Sequence, residues 1–447
     1  MKKILHKLGG RFHQRFQGED VGAVLARGAS GAFVVRVLGA GSALGVQILL
    51  ARLLGATSYG DYIYAITWMN FLALFSRLGL DSACLRFVAA YHGLEKWSLL
   101  RGLLQRSQQI ALVSSVLTAL AAGGVVWLIG DSLRPELRAV FWVAWLLVPA
   151  RVLLEIYFSS LWALKRVVLA QVLREVFRPL LLACGVYLIF EVLGQAGSAP
   201  KVMAVYLVVT VVAPILAGWS LHRTLPPPYH TARAQYKTKE WCRVAIPLLL
   251  VAGFHLALYQ TDILMIGAFL GTTDAGIYAA ATRVASLILF GVIAVNAIAA
   301  PMISELYAQG RHNDLQRMIT LAARGILIYS LPVTLFIVVL GKWMLGFFGQ
   351  AFTGGYTALV VLAVGQLVVA LAGSVGFLMI MTDHHHEATW IVGGSALLNV
   401  ILNATLIPVM GIPGAAVATT VANSMNSLVL SVYVKKKLNI SATAIRI

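Results

Sequence analysis

Long apolar stretches, separated by short polar segments, extend over almost the whole chain. The segments 325–340 and 356–381 are almost continuously apolar, whereas a membrane β-barrel is built from strands of about 10 residues with alternating polarity. A helix that spans a membrane needs about 20 mostly apolar residues. The pattern therefore predicts an all-α polytopic membrane protein with about twelve spanning helices, at residues 29–53, 59–80, 107–129, 139–160, 167–190, 202–222, 244–270, 275–300, 325–341, 356–381, 388–409 and 412–434.

The composition excludes several other classes of protein. Of the 447 residues, 60% are hydrophobic and 12% are charged, against about 45–50% and about 25% in soluble domains. A soluble enzyme, a disordered chain and a secreted disulfide scaffold are therefore excluded. Cys84, Cys184 and Cys242 show neither paired nor metal-ligand spacing, so we expect no metal site. The sequence shows no catalytic constellation and no phosphate-binding P-loop, so we predict neither an enzyme nor a bound cofactor.

The basic residues predict the orientation of the helices. With a cytoplasmic N terminus, the inner segments hold 24 Lys and Arg and the outer loops hold 4. Cytoplasmic loops of membrane proteins carry this excess, and an even number of helices places both termini in the cytoplasm. Because the net charge of +18 is spread over short loops, we do not expect a nucleic-acid partner.

The chain divides into two halves of six predicted helices. A polar segment with three consecutive prolines and five Lys or Arg separates them at 223–243. We expect the two lobes to rock about this linker. The predicted regions are a cytoplasmic N-terminal segment at 1–28, an N-lobe at 29–222, the linker, a C-lobe at 244–434 and a cytoplasmic tail at 435–447.

A short internal repeat supports the division. The pattern L-G-x-T-x-x-G-x-Y occurs at 54–62 and again at 270–278, 216 residues later. In each half it forms the outer turn between the first two predicted helices, where glycine permits a tight turn and close helix contact. Two repeats of six helices have the same orientation, so a pseudo-two-fold axis along the membrane normal relates them. Two such lobes around a central cavity are typical of transporters.

Several motifs carry a resemblance to a known family. They are Arg52-Leu53-Leu54-Gly55, the segment from Arg77 to Val88, Gly276 to Arg283, Pro301 to Leu306 and Gly411 to Ala418. Their order and spacing resemble the oligosaccharide-lipid flippases, the O-antigen and polysaccharide exporters of the multidrug/oligosaccharidyl-lipid/polysaccharide superfamily. The resemblance implies movement of a polyprenyl-diphosphate-linked oligosaccharide from the inner to the outer leaflet of a bacterial cytoplasmic (inner) membrane. It also implies membrane lipids, a polysaccharide polymerase and chain-length proteins as partners, and H⁺ or Na⁺ as a coupling ion.

All seven basic residues within the predicted helices are arginines, at positions 36, 52, 77, 151, 174, 178 and 283. Arginine stays charged when desolvated, and its planar fork binds phosphate oxygens in pairs. Arg151 and Glu155 are spaced to pair along one helix face, and Arg174, Glu175 and Arg178 share a polar stripe on the next helix. Two interpretations remain open: salt bridges that fasten these helices together, or the lining of a cavity for a diphosphate or acidic sugars.

A second group of charges is predicted in the C-lobe. Asp262 and Arg283 are each eight residues from the ends of the outer turn, so both should lie about 12 Å below the outer surface and could pair. By resemblance, Arg283 and Arg36 fall where related flippases place cavity arginines. Our hypothesis is that Arg36 and Arg283 bind the diphosphate, while Asp262 holds Arg283 or exchanges a cation.

Other polar residues are explained by the membrane interface or by contacts between helices. Arg52 and Arg77 lie near predicted helix ends, where long basic side chains reach the polar headgroups. Five aromatic residues fit the aromatic belt at the membrane interface better than a platform for sugars: Tyr62, Tyr64, Trp68, Tyr259 and Tyr278. Six amide residues could bind a glycan, although such side chains also link helices within membranes: Asn296, Gln366, Asn399, Asn403, Asn423 and Asn426.

Two alternative functions are weighed against a flippase. A multidrug/cation antiporter should carry an anionic cavity, whereas the predicted helices hold seven Arg against Asp61, Glu155, Glu175 and Asp262, or +3. A membrane glycan polymerase typically carries a large outer catalytic loop. The longest predicted outer loop here, 342–355, has only about fourteen residues.

Overall fold

A computed structural model describes residues 21–194, 197–382, 384–438 and 440. These residues form helices joined by short turns, so the predicted all-helical fold is confirmed for the described part of the chain. The N-terminal segment before Val21 and the tail from Ser441 onward lie outside the described residues.

The first six spanning helices form the N-lobe. They are α1 (21–54) and α2 (56–76), which together make up Val21–Ser76, then α4 (Trp97–Ile129), α5 (Pro135–Ala163), α6 (167–192) and α7 (Ala199–Thr224). The short helix α3 (Leu80–Gly93) connects α2 to α4, and α8 (Pro227–Thr231) lies in the linker.

The C-lobe follows after the linker. Its spanning helices are α9 (Thr238–Phe269), α10 (272–308), α11 (His312–Gly346), α12 (Tyr356–Leu371, followed after a turn by Val375–Met381), α13 (His385–Met410) and α14 (Ile412–Leu438). Several extend well beyond the predicted apolar stretches: α11 begins 13 residues before the predicted residue 325. Polar residues at these ends continue the helix outside the hydrocarbon region.

Twelve crossings can be counted within the described residues. Ten stretches are long and apolar enough to span a membrane, and one of them, Leu38–Ser76, has 39 residues. This stretch would extend for about 58 Å as one helix, but it folds back at Gly55, so it crosses twice. The twelfth crossing is α6. Two π-helical turns, at Val172–Phe177 and Leu188–Val192, interrupt this helix.

The two copies of the repeat form equivalent turns. Gly55 has φ 71° between α1 and α2, and Gly271 has φ 100° between α9 and α10. Side-chain-bearing residues rarely adopt these left-handed conformations, so glycine permits both turns. We call the end of the helix bundle with these turns the repeat end, and the opposite end, with the connection from α7 to α9, the linker end.

The linker is bound to the N-lobe. Arg101 donates hydrogen bonds to the carbonyls of His230 at 2.7 Å and Ala232 at 2.9 Å, and the Gln235 N–H donates to the Ser98 carbonyl at 2.9 Å. Beyond Gln235, the indole N–H of Trp241 at the start of α9 donates to the Tyr91 hydroxyl at 3.0 Å. These hydrogen bonds attach the linker to α3 and α4 of the N-lobe, and rocking of the lobes about residues 223–243 stays a prediction.

Candidate functional site

The two lobes touch through the two copies of the repeat. Thr57 and Thr273, at equivalent positions, form a hydrogen bond between their hydroxyls at 3.2 Å. A Cβ on Gly60 would lie 2.0 Å from the Thr272 carbonyl oxygen, and a Cβ on Gly276 would lie 2.8 Å from the Gly60 Cα. Only glycine permits this approach, so the motif that makes the turns also closes the repeat end between the lobes.

A buried carboxylate strengthens this closure. Asp61 of α2 is fully buried and accepts hydrogen bonds from Arg134 at 2.5 Å and from the Thr272 hydroxyl of α10 at 2.6 Å. Arg134 also contacts the Thr272 hydroxyl at 2.7 Å. The Arg52 Nε–H donates to the Phe347 carbonyl of the C-lobe at 2.7 Å. Polar contacts therefore join the lobes at the repeat end.

A cavity lies between the lobes on the linker side of this closure. It has a volume of about 420 Å³. Helices α2, α5 and α6 of the N-lobe form one wall, and α9 of the C-lobe forms the other. The lining residues are Asn70, Ala73, Leu74, Arg77, Arg151, Val152, Glu155, Arg174, Ala252, His255, Leu256, Tyr259 and Gln260.

Three arginines surround one carboxylate in the N-lobe wall. Glu155 is 6% exposed and pairs with Arg151, with Arg174 at 3.4 Å and with Arg77 at 3.8 Å. Arg77 also pairs with Asp81 at 3.2 Å. The lining residues thus carry three positive charges against one negative charge. Each arginine also has a carboxylate partner, so an anionic ligand would bind here by taking the place of a carboxylate beside an arginine.

A π-helical turn presents part of this cluster. Arg174 and Glu175 lie in the π turn Val172–Phe177 of α6, and their side chains pair at 3.8 Å. Such turns are frequent at functional sites, because they change the direction of side chains within a helix. Helix α1 crosses here: the Ser42 hydroxyl donates to the Glu175 carbonyl at 3.2 Å, and Gly39 lies against Glu175.

Arg178 lies beside this cluster, where it contacts a tyrosine. Its guanidinium donates to the Tyr206 hydroxyl at 2.9 Å and lies over the ring, 5.9 Å from the centroid. The Nε–H of Arg178 is buried and has no hydrogen-bond partner among the described residues. The structure therefore gathers Arg151, Arg174 and Arg178 in one region at the contact of α5 and α6, as the sequence predicted.

Asp262 belongs to a separate polar cluster inside the C-lobe. It is 2% exposed and accepts hydrogen bonds from the Tyr278 hydroxyl and from the Thr419 hydroxyl at 3.1 Å. Asn399 donates to Thr419 at 3.3 Å, and Asn403 donates to Asn399 at 2.9 Å. Buried polar groups in membranes are satisfied inside the protein, and these side chains join α9, α10, α13 and α14.

The expected ion pair between Asp262 and Arg283 does not form among the described side chains. Asp262 faces Tyr278, and Arg283 lies five positions further along α10, which is about 140° around the helix. Arg283 is exposed and lies close enough to Tyr59 and Tyr62 of α2 to interact with them electrostatically. Arg36 lies on α1 one turn before Gly39, and its side chain is outside the described residues.

A family model matches the larger part of the sequence. The model for "Polysaccharide biosynthesis protein" matches residues 25–307, which is more than half of the chain. The chain belongs to the polysaccharide biosynthesis protein family. The matched region includes the arginine cluster, the linker and both copies of the repeat.

Two curated relatives come from Haloferax volcanii. The probable low-salt glycan biosynthesis flippase Agl15 is 26% identical over 180 residues, covering 40% of this chain and 38% of its own length. The probable flippase AglR is 29% identical over 173 residues, covering 37% of this chain and 36% of its own length. The aligned region thus spans less than half of each relative.

Solved structures share the fold over most of the chain. A MATE family multidrug resistance transporter of the MOP superfamily, in an inward-facing conformation, is 14% identical with a TM-score of 0.68, covering 95% of this chain and 96% of the other. The lipid II flippase MurJ, in an inward closed conformation, is 15% identical with a TM-score of 0.69, covering 92% and 87%. These similarities confirm the predicted two-lobed transporter fold.

The structure places two residues in the cavity that the sequence assigned to the membrane interface. Arg77 reaches Glu155 and lines the cavity, so its interpretation as a side chain directed to the headgroups is wrong. Tyr259, predicted for the interfacial belt, lines the cavity beside His255. The signal that could have found Tyr259 is its one-turn spacing from His255 on a helix that otherwise carries few polar residues.

Proposed function

We propose that this member of the polysaccharide biosynthesis protein family is a flippase for polyprenyl-diphosphate-linked oligosaccharides. The observation that carries the proposal is the cavity between the lobes, whose lining has three arginines and one glutamate. A diphosphate offers several anionic oxygens, and arginine binds such oxygens bidentately. The family match and the relatives, a probable glycan biosynthesis flippase and a probable flippase, support the coarser role of a flippase in glycan biosynthesis.

The proposed mechanism is alternating access. The linker end is cytoplasmic, in agreement with the excess of basic residues in its segments. With the repeat end closed, the diphosphate and sugars enter the cavity from the inner leaflet while the prenyl chain stays in lipid. Separation of the Thr57–Thr273 contact then releases the head group to the outer leaflet of the cytoplasmic membrane, where a polysaccharide polymerase and chain-length proteins would act on it.

The arginines outside the lined cavity are assigned to later stages of the transfer. Arg283 lies on the C-lobe side near Tyr59 and Tyr62 of α2. We assign it, together with Arg36 of α1, to contact the diphosphate from the two lobes as it passes toward the repeat end. Arg178, with its unpartnered Nε–H, adds a donor beside Arg151 and Arg174.

Reconstitution in liposomes tests the proposed substrate. We expect the purified chain to move a fluorescent polyprenyl-diphosphate-linked oligosaccharide between leaflets, measured by the fraction of label that an added membrane-impermeant quencher reaches. Protein-free liposomes give the baseline. Uptake of organic cations without lipid movement would instead favour a multidrug antiporter, and growth of the glycan chain would favour a polymerase.

Asp262 is proposed as the residue that couples translocation to H⁺ or Na⁺. Its carboxylate is buried among Tyr278 and Thr419, without an arginine partner among the described residues. With Asp262→Asn, we expect an imposed ion gradient to lose its accelerating effect, which we take as about tenfold from typical coupling energies. Translocation without a gradient should continue. The measurement compares initial rates with and without pH and Na⁺ gradients.

Asp314→Asn is the control for this variant. Asp314 is exposed and pairs with Arg311 outside the spanning region, so removal of its charge should leave the gradient effect intact. If Asp262→Asn responds to the gradients as strongly as the unmodified protein does, Asp262 does not couple the ion.

A further inference from the structure

The cavity wall on α9 differs in chemistry from the arginine wall that faces it. His255, Tyr259 and Gln260 line it, and none of them carries a fixed charge. We infer that this wall is a binding subsite for the first sugar ring of the substrate, with the rings of His255 and Tyr259 as its platform. The inference rests on the proposed function, because it assigns the two walls to two parts of one ligand.

The rings of His255 and Tyr259 form a parallel stacked pair. His255 and Tyr259 are one helical turn apart, their ring planes are parallel to within 4°, and their centroids are 6.4 Å apart. Each ring of such a pair keeps one face turned away from its partner, and a ligand can contact that face. An aromatic face is electron-rich, and the C–H groups on one side of a pyranose ring carry partial positive charge, so the two surfaces attract each other.

Amide groups beside the platform supply the hydrogen bonds that sugar hydroxyls need. The Gln260 side-chain oxygen is buried and has no hydrogen-bond partner among the described residues. A buried acceptor without a partner is unfavourable unless a ligand or water satisfies it. Asn70 of α2 also lines the cavity and provides both a donor and an acceptor. Aromatic rings with amides nearby suit a neutral sugar better than a second anion.

The placement of the two walls agrees with the covalent order of the ligand. In a lipid-linked glycan the diphosphate is bonded directly to the first sugar. A cavity of about 420 Å³ falls within the range of small-molecule pockets, about 300–1,000 Å³. It therefore suits a diphosphate and the adjoining ring, while the prenyl chain and further sugars extend outside.

Binding of two matched probes tests the subsite. Farnesyl diphosphate and farnesyl-diphospho-N-acetylglucosamine differ in the sugar and in the one terminal phosphate charge that the sugar ester removes, and calorimetry with the full chain in lipid nanodiscs gives both affinities. We expect the sugar to raise the affinity of the unmodified protein. In the double variant His255→Leu/Tyr259→Leu, this gain in affinity should be about tenfold smaller. Farnesyl diphosphate should bind both proteins equally.

Two further variants separate the role of the rings from other effects. Tyr259→Phe keeps the ring and should retain the sugar's contribution, whereas Tyr187→Leu, on an exposed tyrosine of α6, should change neither affinity. The same ratio of the two affinities in the unmodified protein and in the double leucine variant would overturn the sugar subsite and leave the diphosphate proposal standing. Absence of any farnesyl diphosphate binding would instead contradict the proposed function itself.

Discussion

Translocation of a lipid-linked glycan should fall about 10- to 100-fold when Arg174 is replaced by glutamine. A hydrogen bond to a charged group contributes about 1.5–3 kcal/mol, and each 1.4 kcal/mol corresponds to about tenfold. Arg174 lines the cavity and is 36% exposed there, so its guanidinium can exchange Glu155 for a phosphate. The flip assay in liposomes measures the rate, and membrane extracts give the amount of folded protein.

Arg317→Gln is the matched control for this variant. Arg317 is exposed near the start of α11, outside the cavity, so its replacement should leave the rate unchanged. An unaltered rate in Arg174→Gln, with normal protein levels, would contradict a phosphate-binding role for Arg174.

The same cavity allows a test of whether the arginines bind substrate or fasten helices. Replacing Arg151 alone by glutamine removes one guanidinium and keeps the salt bridges of Glu155 with Arg174 and Arg77, so the carboxylate is not left buried without a partner. If the cluster only fastens α5 to α6, this variant should retain translocation. We expect a loss comparable to that of Arg174→Gln, because one phosphate-binding arginine is missing although the fold is kept.

A disulfide between residues 57 and 273 should stop translocation completely and reversibly. The hydroxyls of Thr57 and Thr273 are 3.2 Å apart across the repeat end, so cysteines there should lie within reach of a disulfide. The double variant Thr57→Cys/Thr273→Cys is made after Cys84, Cys184 and Cys242 have been replaced by alanine. Under oxidation the flip rate should fall to the protein-free baseline, and a reductant should restore it.

The single variants Thr57→Cys and Thr273→Cys are the controls for oxidation. Neither can form the bond within one chain, so both should translocate under oxidising conditions. Continued translocation by the oxidised double variant, with the crosslink verified by mass spectrometry, would mean that the repeat end does not open during transport.

The architecture could be predicted from the sequence because lipid restricts a spanning chain to few structures. Apolar length located the helices, and the repeated glycines located the turns that Gly55 and Gly271 form. The pairing of Arg151 with Glu155 followed from spacing within a single helix, which the 3.6-residue period determines. These features depend on local geometry, which the spacing of residues along a single sequence determines.

Features that depend on how helices face each other could not be predicted. Equal depth suggested that Asp262 and Arg283 would pair, but depth does not determine direction around the helix axis, and Tyr278 faces Asp262 instead. Arg77 and His255 meet in one cavity only because α2 and α9 of different lobes lie side by side. The π-helical turn that contains Arg174 likewise could not be predicted, because the spacing of the residues along the chain does not indicate it.

The contact of Gly60 with Gly276 has a consequence for how the two halves can diverge. Each glycine occupies the same place in its own copy of the motif, and each lies against the backbone of the other copy. A side chain introduced at either glycine would therefore clash with the unchanged backbone of the other half. Positions 60 and 276 should therefore change only together in evolution, whereas the other positions of each lobe can change independently.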